Sequence, residues 1–291
     1  MMTRILALVC LVTALAAGTV LDRPPRRDPM VLGGFRVLQV DFHTHSSTWS
    51  DGALTPFGLV HEAAARGLDA FTIAGHDQTL DSHVGYWYSR LIDGPMVLRG
   101  EEVLSPTHHI IAVGITDTVD FFQSAADVIA DIHRQGGIAI AAHPNAPTDN
   151  YDSAALASLD GAEVCHPVGY ISPDVQREYE QFQTRGSFAA IGSSDFHGLG
   201  PMGTCRTFVF AREATEAALL EAVRARRTVV YGPAGRIYGD PELIRLAVAD
   251  GRLGESLPAS SRSALQQVSG ALALIGFAAL LAGRPRQRAP A

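Results

Sequence analysis

The chain reads as an α/β protein whose strands close into a barrel. Short apolar segments rich in β-branched residues alternate with helix-like segments, and the connections between them are short. Six of the apolar segments run directly into histidine or carboxylate residues. In a barrel of parallel strands the C-terminal strand ends share one face, so side chains carried there converge.

The strand-like segments are residues 37–42, 70–74, 96–99, 110–114, 138–142, 162–165 and 188–191. The first runs into His43 and His45, the second into His76 and Asp77, and the third into Glu101 and Glu102. Residues 138–142 run into His143, residues 162–165 into His166, and residues 188–191 into Asp195 and His197. One histidine after a strand is usually a structural residue. Six strand ends with the same habit are not what core packing produces.

Helices fill the gaps. Thr55-Pro56 sets a capping residue before a first-turn proline and opens a helix that stops at Gly67. A second helix begins at Ser124, carries Val128, Ile129 and Ile132 on one face, and ends at Gly136-Gly137. Two more cover about residues 174–186 and 215–227.

The two ends differ from this middle. Residues 5–20 are an apolar run preceded by Arg4, with Ala14-Leu15-Ala16 as a small-x-small cleavage site. That is the layout of a signal peptide or an N-terminal membrane anchor over residues 1–22. Arg23, Arg26 and Arg27 follow and disfavour translocation of what comes next. Residues 264–282 are almost free of charge, interrupted by Gln266 and Gln267, and are followed by Arg284, Arg286 and Arg288. A helix rising about 1.5 Å per residue would span roughly 28 Å here, just enough for a hydrocarbon core. The expected layout is therefore a catalytic domain over residues 35–231, a C-terminal extension over 232–262 and a transmembrane segment over 264–282. Arginines after the last span favour a cytoplasmic tail and an extracytoplasmic domain.

Composition narrows the chemistry. A hydrophobic content of 47% and a charged content of 18% fit a globular domain with a core. A formal net charge of −7 argues against a long nucleic acid as partner, whereas a small anion is compatible once divalent cations reverse the local sign. Cys10, Cys165 and Cys205 form no Cys-x-x-Cys metal site, and the last two read as buried small apolar residues in preference to a disulfide.

The ligand inventory is histidine-rich. His43-Thr44-His45 projects two imidazoles to one side of an extended chain, spaced to share a cation. Seven histidines at strand ends or beside them, with three carboxylates and no thiolate, suit Zn, Mn or Fe. They exceed what one catalytic ion needs and point to two or three ions sharing a carboxylate.

The ordered motifs Asp41-Phe42-His43-Thr44-His45-Ser46, Ser50-Asp51-Gly52, Gly75-His76-Asp77, Gly100-Glu101-Glu102-Val103, His109, Ala142-His143-Pro144 and Ser194-Asp195-Phe196-His197 resemble those of the PHP (polymerase and histidinol phosphatase) family over roughly residues 37–210. The tail over 219–254, with Arg226-Arg227-Thr228-Val229, Gly232-Pro233 and a later Leu-rich strand, is similar to the CehA/McbA-type metallohydrolase branch. The resemblance implies a distorted (βα)7 TIM-like barrel with a small C-terminal β extension and a cluster of up to three ions. By position, His43, His45 and Asp195 would hold the first ion. Glu102 would bridge it to a second, held by His109 and His143. Asp51, His76 and His197 would hold the third. Glu102 is taken over Glu101 from the family's Gly-x-Glu pattern, and His109 over His108 from its spacing after Glu102. Two positions depart from the family: Ala74-Gly75 stands where Thr-Asp is usual, loosening support around His76, and His166 stands where Asn is common and would add or replace a ligand.

Two ions about 3.5–4 Å apart lower the pKa of a shared water enough to give a bridging hydroxide near neutral pH. Glu102 and Asp195 would hold that centre, and His166 would protonate a leaving group. Phosphate ester hydrolysis is the favoured activity, on a small-molecule substrate. A CehA/McbA-like carboxylic or carbamate ester hydrolase is the alternative, and a non-catalytic metal-binding membrane module is the alternative of another class.

Overall fold

The computed structural model describes residues 2–24, 28–254 and 263–282. Eleven strands make one sheet: β1 (Met30–Leu32), β2 (Phe35–Thr44), β3 (Ala70–His76), β4 (Met96–Leu104), β5 (His109–Val113), β6 (Ile138–Ala141), β7 (Gly161–Cys165), β8 (Ala189–Gly192), β9 (Thr207–Ala211), β10 (Thr228–Tyr231) and β11 (Ile237–Gly239). The helices are α1 (Met2–Ala16), α2 (Pro56–Ala65), α3 (Leu80–Ile92), α4 (Ala125–Arg134), α5 (Ser153–Ser158), α6 (Pro167–Ile171), α7 (Pro173–Gln183), α8 (Glu216–Arg224), α9 (Pro241–Asp250) and α10 (Ala264–Ala282).

The sheet runs β11-β10-β9-β2-β3-β4-β5-β6-β7-β8, with β1 paired to β2. It curls until β8 packs beside β10, so the barrel is nearly closed. The strands are mixed, not all parallel. β2, β3 and β4 are mutually parallel, as are β6, β7 and β8, but β5 is antiparallel to both its neighbours and β9 is antiparallel to β2. The reason is readable in chain length. Only residues 105–108 separate β4 from β5, and a parallel crossover needs a dozen residues or more. A strand reversed in this way starts where its neighbour ends, which brings His109 opposite Leu104 at the same barrel end as the other ligand-type residues.

Caps start the helices where the residue types foretell. Thr55 caps α2, Ser124 caps α4 and Thr215 caps α8, each accepting a hydrogen bond from a first-turn N–H. The inner face of the barrel is apolar from Leu38, Val40, Leu98, Ile111, Val113, Ile138, Ile140, Ile191 and Val209. Leu219, Leu220, Ala222 and Val223 of α8 join that cluster and plug one end of the barrel. Outside, α2 and α3 cover β3 through Leu59, Val60, Phe71, Ile73 and Ile92, while α4, α5 and α7 cover the β5–β7 side. Beyond residue 231 the extension contributes the short strand β11. The Leu-rich stretch expected as a strand is α9, which Asp240 caps and which packs on Val37, Phe208 and Phe210.

The expectation for the cysteines needs correction. Cys165 and Cys205 form a disulfide, with Cα atoms 5.5 Å apart. Barrel curvature sets the end of β7 beside the segment entering β9, a closeness that a sequence separation of 40 conceals. The terminal helices pack on one another. α1, continued by a π-helical turn (Ala17–Leu21), packs antiparallel on α10. A Cβ at Gly18 would lie 2.2 Å from Ser269 Oγ, and one at Gly276 would lie 3.0 Å from Ala7 O, so small residues permit the close approach. Among the described residues one helix, Arg4–Leu21, is long and apolar enough to cross a membrane, and α10 carries a shorter apolar stretch, Gln267–Leu281. Arg26, Arg27, Arg284, Arg286, Arg288 and the end of the 232–262 extension lie outside the described residues.

Candidate metal centre

Side chains alternate across a strand, and that parity decides who enters the barrel. Leu98 faces inward on β4, so Gly100 and Glu102 do too, while Glu101 faces the helix layer. Ile111 and Val113 face inward on β5, so His109 does and His108 does not. Glu101 Oε1 accepts a hydrogen bond from Val119 N at 2.6 Å, and burial pushes its pKa up to about 8. His108 Nδ1 lies 3.2 Å from Thr107 Oγ1, away from the cluster.

Glu102 sits at the centre of five imidazoles. Its Oε1 lies 3.1 Å from His143 Nε2 and 3.3 Å from His109 Nδ1. Its Oε2 lies 3.1 Å from His43 Nε2, 3.4 Å from His76 Nε2 and 3.6 Å from His45 Nε2. Asp195 Oδ1 approaches His45 Nε2 at 3.0 Å and His43 Nε2 at 3.4 Å. On the solvent side Asp51 Oδ1 is 3.1 Å from His197 Nε2 and 3.8 Å from His76 Nε2. All nine sequence-derived ligands therefore meet at one barrel end. Three groups have ligand atoms within 4.8 Å of one another: His43, His45 and Asp195; His43, Glu102 and His143; and His45, Asp51, His76 and His197.

These residues fit divalent cations. His43 Nε2, His45 Nε2, His109 Nδ1 and Asp195 Oδ1 are buried and have no hydrogen-bond partner, an arrangement that costs stability unless a cation fills it. Two ligand atoms each about 2.1 Å from one ion, at 90–110° to each other, stand about 3.0–3.4 Å apart, which is the spacing around Glu102 and Asp195. The electrostatics agree. Against the burial that opposes it, His43 and the closely placed imidazoles of His109 and His143 hold Glu102 well below the usual carboxylate range. Asp195 is lowered likewise against burial, chiefly by His43. Burial pushes His45 down to about 4, keeping its lone pair free, whereas the carboxylates of Asp195, Glu102 and Glu163 overcome burial to raise His43. His143 and Asp195 both take positive φ, at 28° and 45°, conformations that non-glycine residues hold only where surroundings enforce them.

The supporting residues were mostly invisible in the sequence. Glu163, fully buried on β7, lies 3.2 Å from His43 Nδ1 and accepts a hydrogen bond from His143 N at 2.6 Å. Its signal was a lone carboxylate inside an apolar strand. Asp41, also buried, accepts from Ser194 N, Ser194 Oγ, Gly203 N and His43 N, tying the end of β2 to the loop that carries Asp195. The missing side chain at Gly75 is compensated: a Cβ there would lie 1.9 Å from Gln78 Nε2 and 2.6 Å from Asp81 Oδ2, so Gln78, just before α3, and Asp81 in its first turn fill the space. Asp81 Oδ2 in turn accepts from Ser46 Oγ at 2.9 Å. His166 caps α6, with Nδ1 accepting from Val168 N at 3.3 Å and Nε2 directed at Asp195 Oδ2 at 3.3 Å. That pairing assigns the ring proton to Nε2 and makes His166 a donor to Asp195.

A family model described as PHP-associated matches residues 177–228. Among solved structures, the chain is similar to a two-domain protein from Bacteroides vulgatus that contains a predicted PHP-like metal-dependent phosphoesterase. The two share 24% identity over 77% of this chain and 74% of that one, with a TM-score of 0.62. It is also similar to PsfC from Pseudomonas syringae, at 16% identity over 74% of this chain and 96% of that one, with a TM-score of 0.51. No curated protein matches it. With a nearly closed mixed barrel, the ordered histidine and carboxylate motifs at one end of it, and a PHP-associated segment over 177–228, the chain has the distorted TIM-like fold of the PHP family.

Proposed function

We propose that the chain is a metal-dependent phosphoesterase whose centre holds two or three divalent ions (Zn, Mn or Fe). The carrying observation is Glu102, whose two carboxylate oxygens address different imidazole sets, as a bridge between cations requires. In this reading His43, His45 and Asp195 would hold one ion, Glu102 with His109 and His143 a second, and Asp51, His76 and His197 a third. Bound divalent ions supply an activated water at neutral pH and neutralise charge developing on phosphoryl oxygens. The protein's own part is positional. Glu163 orients His43 and His143 from behind, and His166 fixes Asp195. Asp51 and His197, at the partly exposed edge, face the direction from which a substrate arrives.

The terminal helices support a membrane-held protein with its barrel outside the cytoplasm. A hairpin returns both helix ends to one side, where Arg4 and the arginines after residue 282 would remain cytoplasmic. The Cys165–Cys205 disulfide suits an oxidising compartment.

The deciding assay compares a chromogenic phosphate ester with a chromogenic carboxylic ester, using wild type and His76→Ala side by side. Phosphate ester turnover is expected to be faster, inhibited competitively by inorganic phosphate, and lost in the variant. Faster carboxylic ester turnover, untouched by phosphate, would overturn the phosphoesterase reading in favour of a carboxylic or carbamate ester hydrolase. A second variant probes the support. Glu163→Gln is expected to weaken metal affinity by about 10–100-fold, because an outer carboxylate fixes the tautomer and orientation of a ligating imidazole. Chelator competition reads this directly, and unchanged affinity would reduce Glu163 to a space-filling role.

A further inference from the structure

The hairpin of α1 and α10 grips the barrel at a definite place and leaves it in a definite direction. Arg23 pairs with Asp93, at the C-terminal end of α3 and so at the plugged end of the barrel, at 2.9 Å. Higher up, Asp22 lies 3.7 Å from His61, accepts from Ser263 Oγ at 2.7 Å, and the Tyr88 hydroxyl donates to Thr19 O while sitting 2.7 Å from His61 Nε2. Earlier residues Ala14, Leu15 and Gly18 border a cavity along α2 that runs from Ala65 up to Leu54, Thr55 and Phe57 at the N-terminal end of the helix. That end is the one carrying the metal cluster. Going back along α1, the chain therefore climbs from the plugged end towards the cluster end. Met2 to Ala14 then project beyond it by about 18 Å of helix.

The tether has no slack. Of the apolar stretch Arg4–Leu21, the part from Ala14 onward lies against α2 and α3, so about 18 Å of helix is left to enter a hydrocarbon core of about 30 Å. Its last turns are already bonded to the barrel, so no linker separates bilayer from domain. The rim beside the hairpin is apolar where it faces outward. Trp49 is 55% exposed in the loop that carries Asp51, and Leu199 is 94% exposed in the loop after His197. A Cβ at Gly198 would touch Ala53 at 2.3 Å, so the two loops form one lip, continued by exposed Phe57 on α2. Tryptophan is the side chain that membrane interfaces favour.

We infer that the mouth of the metal centre is held against the bilayer, with Trp49, Phe57 and Leu199 dipping into its surface, and that the substrate is a phosphoester carried on a lipid headgroup. This rests on the phosphoesterase and membrane readings above. A soluble substrate would have to pass between lip and lipid, whereas a headgroup phosphate lies in the plane that the mouth faces.

The test uses the full chain reconstituted into phosphatidylcholine vesicles. In Trp87→Phe, which leaves Trp49 as the one tryptophan, brominated lipid is expected to quench the emission; an unquenched Trp49 overturns the orientation whatever the activity does. In the same vesicles with manganese, phosphate release from phosphatidic acid is expected to exceed release from glycerol 3-phosphate at equal bulk concentration by about tenfold or more, since the bilayer confines the lipid beside the site. Leu199→Ser is expected to reduce the lipid reaction several-fold and leave the soluble one unchanged. Equal rates for the two substrates, with Leu199→Ser neutral, overturn the lipid inference and leave the phosphoesterase reading standing. Release from neither overturns both.

Discussion

Replacing Glu102 by Gln is expected to lower phosphate ester hydrolysis on the order of a thousandfold, equivalent to about 4 kcal/mol of transition-state stabilisation. A carboxamide is nearly the same size, so packing among the five histidines survives, but one anionic oxygen is lost and with it the proposed ability to join two cations. Glu101→Gln is the matched control one residue away. Its carboxyl faces the helix layer, already favours the neutral form at pH 7 because burial pushes its pKa up to about 8, and bonds Val119 N through an oxygen that Gln retains. Steady-state turnover and metal content of the two proteins check the difference. Greater loss in Glu101→Gln would mean that the bridging carboxylate has been assigned to the wrong residue.

Asp41→Ala is expected to be the most damaging change outside the ligands, lowering stability by about 4 kcal/mol. The side chain is buried, and removing it strands the N–H groups of His43, Ser194 and Gly203 together with the Ser194 hydroxyl. Asp41→Asn should fall between wild type and Ala. Oδ1 can still accept from His43 and Ser194, but an amide N–H then confronts the N–H of Gly203. Denaturant midpoints measure the series, and metal affinity should fall with it, since the bonds lost join His43 to the segment carrying Asp195. An Asp41→Ala protein as stable as wild type would show that these bonds merely replace equivalent bonds to water.

Much of the barrel, and the meeting of the candidate ligands at one end of it, was legible because period-two alternation and chain order carry both. Leu98, Gly100 and Glu102 share a face, as do His109, Ile111 and Val113, so strand parity reaches the same residues that motif spacing selects. What escaped depended on contacts between distant segments. The reversal of β5 hid behind a strand-like sequence that looks alike in either direction, although the four-residue link before it held the clue. Glu163 and Asp41 differ from other carboxylates only in what the fold sets beside them. Cys165 and Cys205 meet through the curl of the sheet, and the terminal helices meet through a pairing of small residues that neither apolar run announces alone.

The α8 plug has a kinetic consequence. Leu219, Leu220, Ala222 and Val223 close the far end of the packed barrel interior, and the cluster of His43, His45, Glu102 and Asp195 is the polar layer on top of that core. With the core packed beneath it, the cluster is approached from the solvent side, where Asp51 and His197 are partly exposed. Whatever enters to react must be replaced from the same side by what the reaction leaves behind, so arrival and departure compete for that approach. Under such traffic the slow event in a cycle shifts towards clearing it, and a leaving anion that lingers on the cluster delays the next arrival.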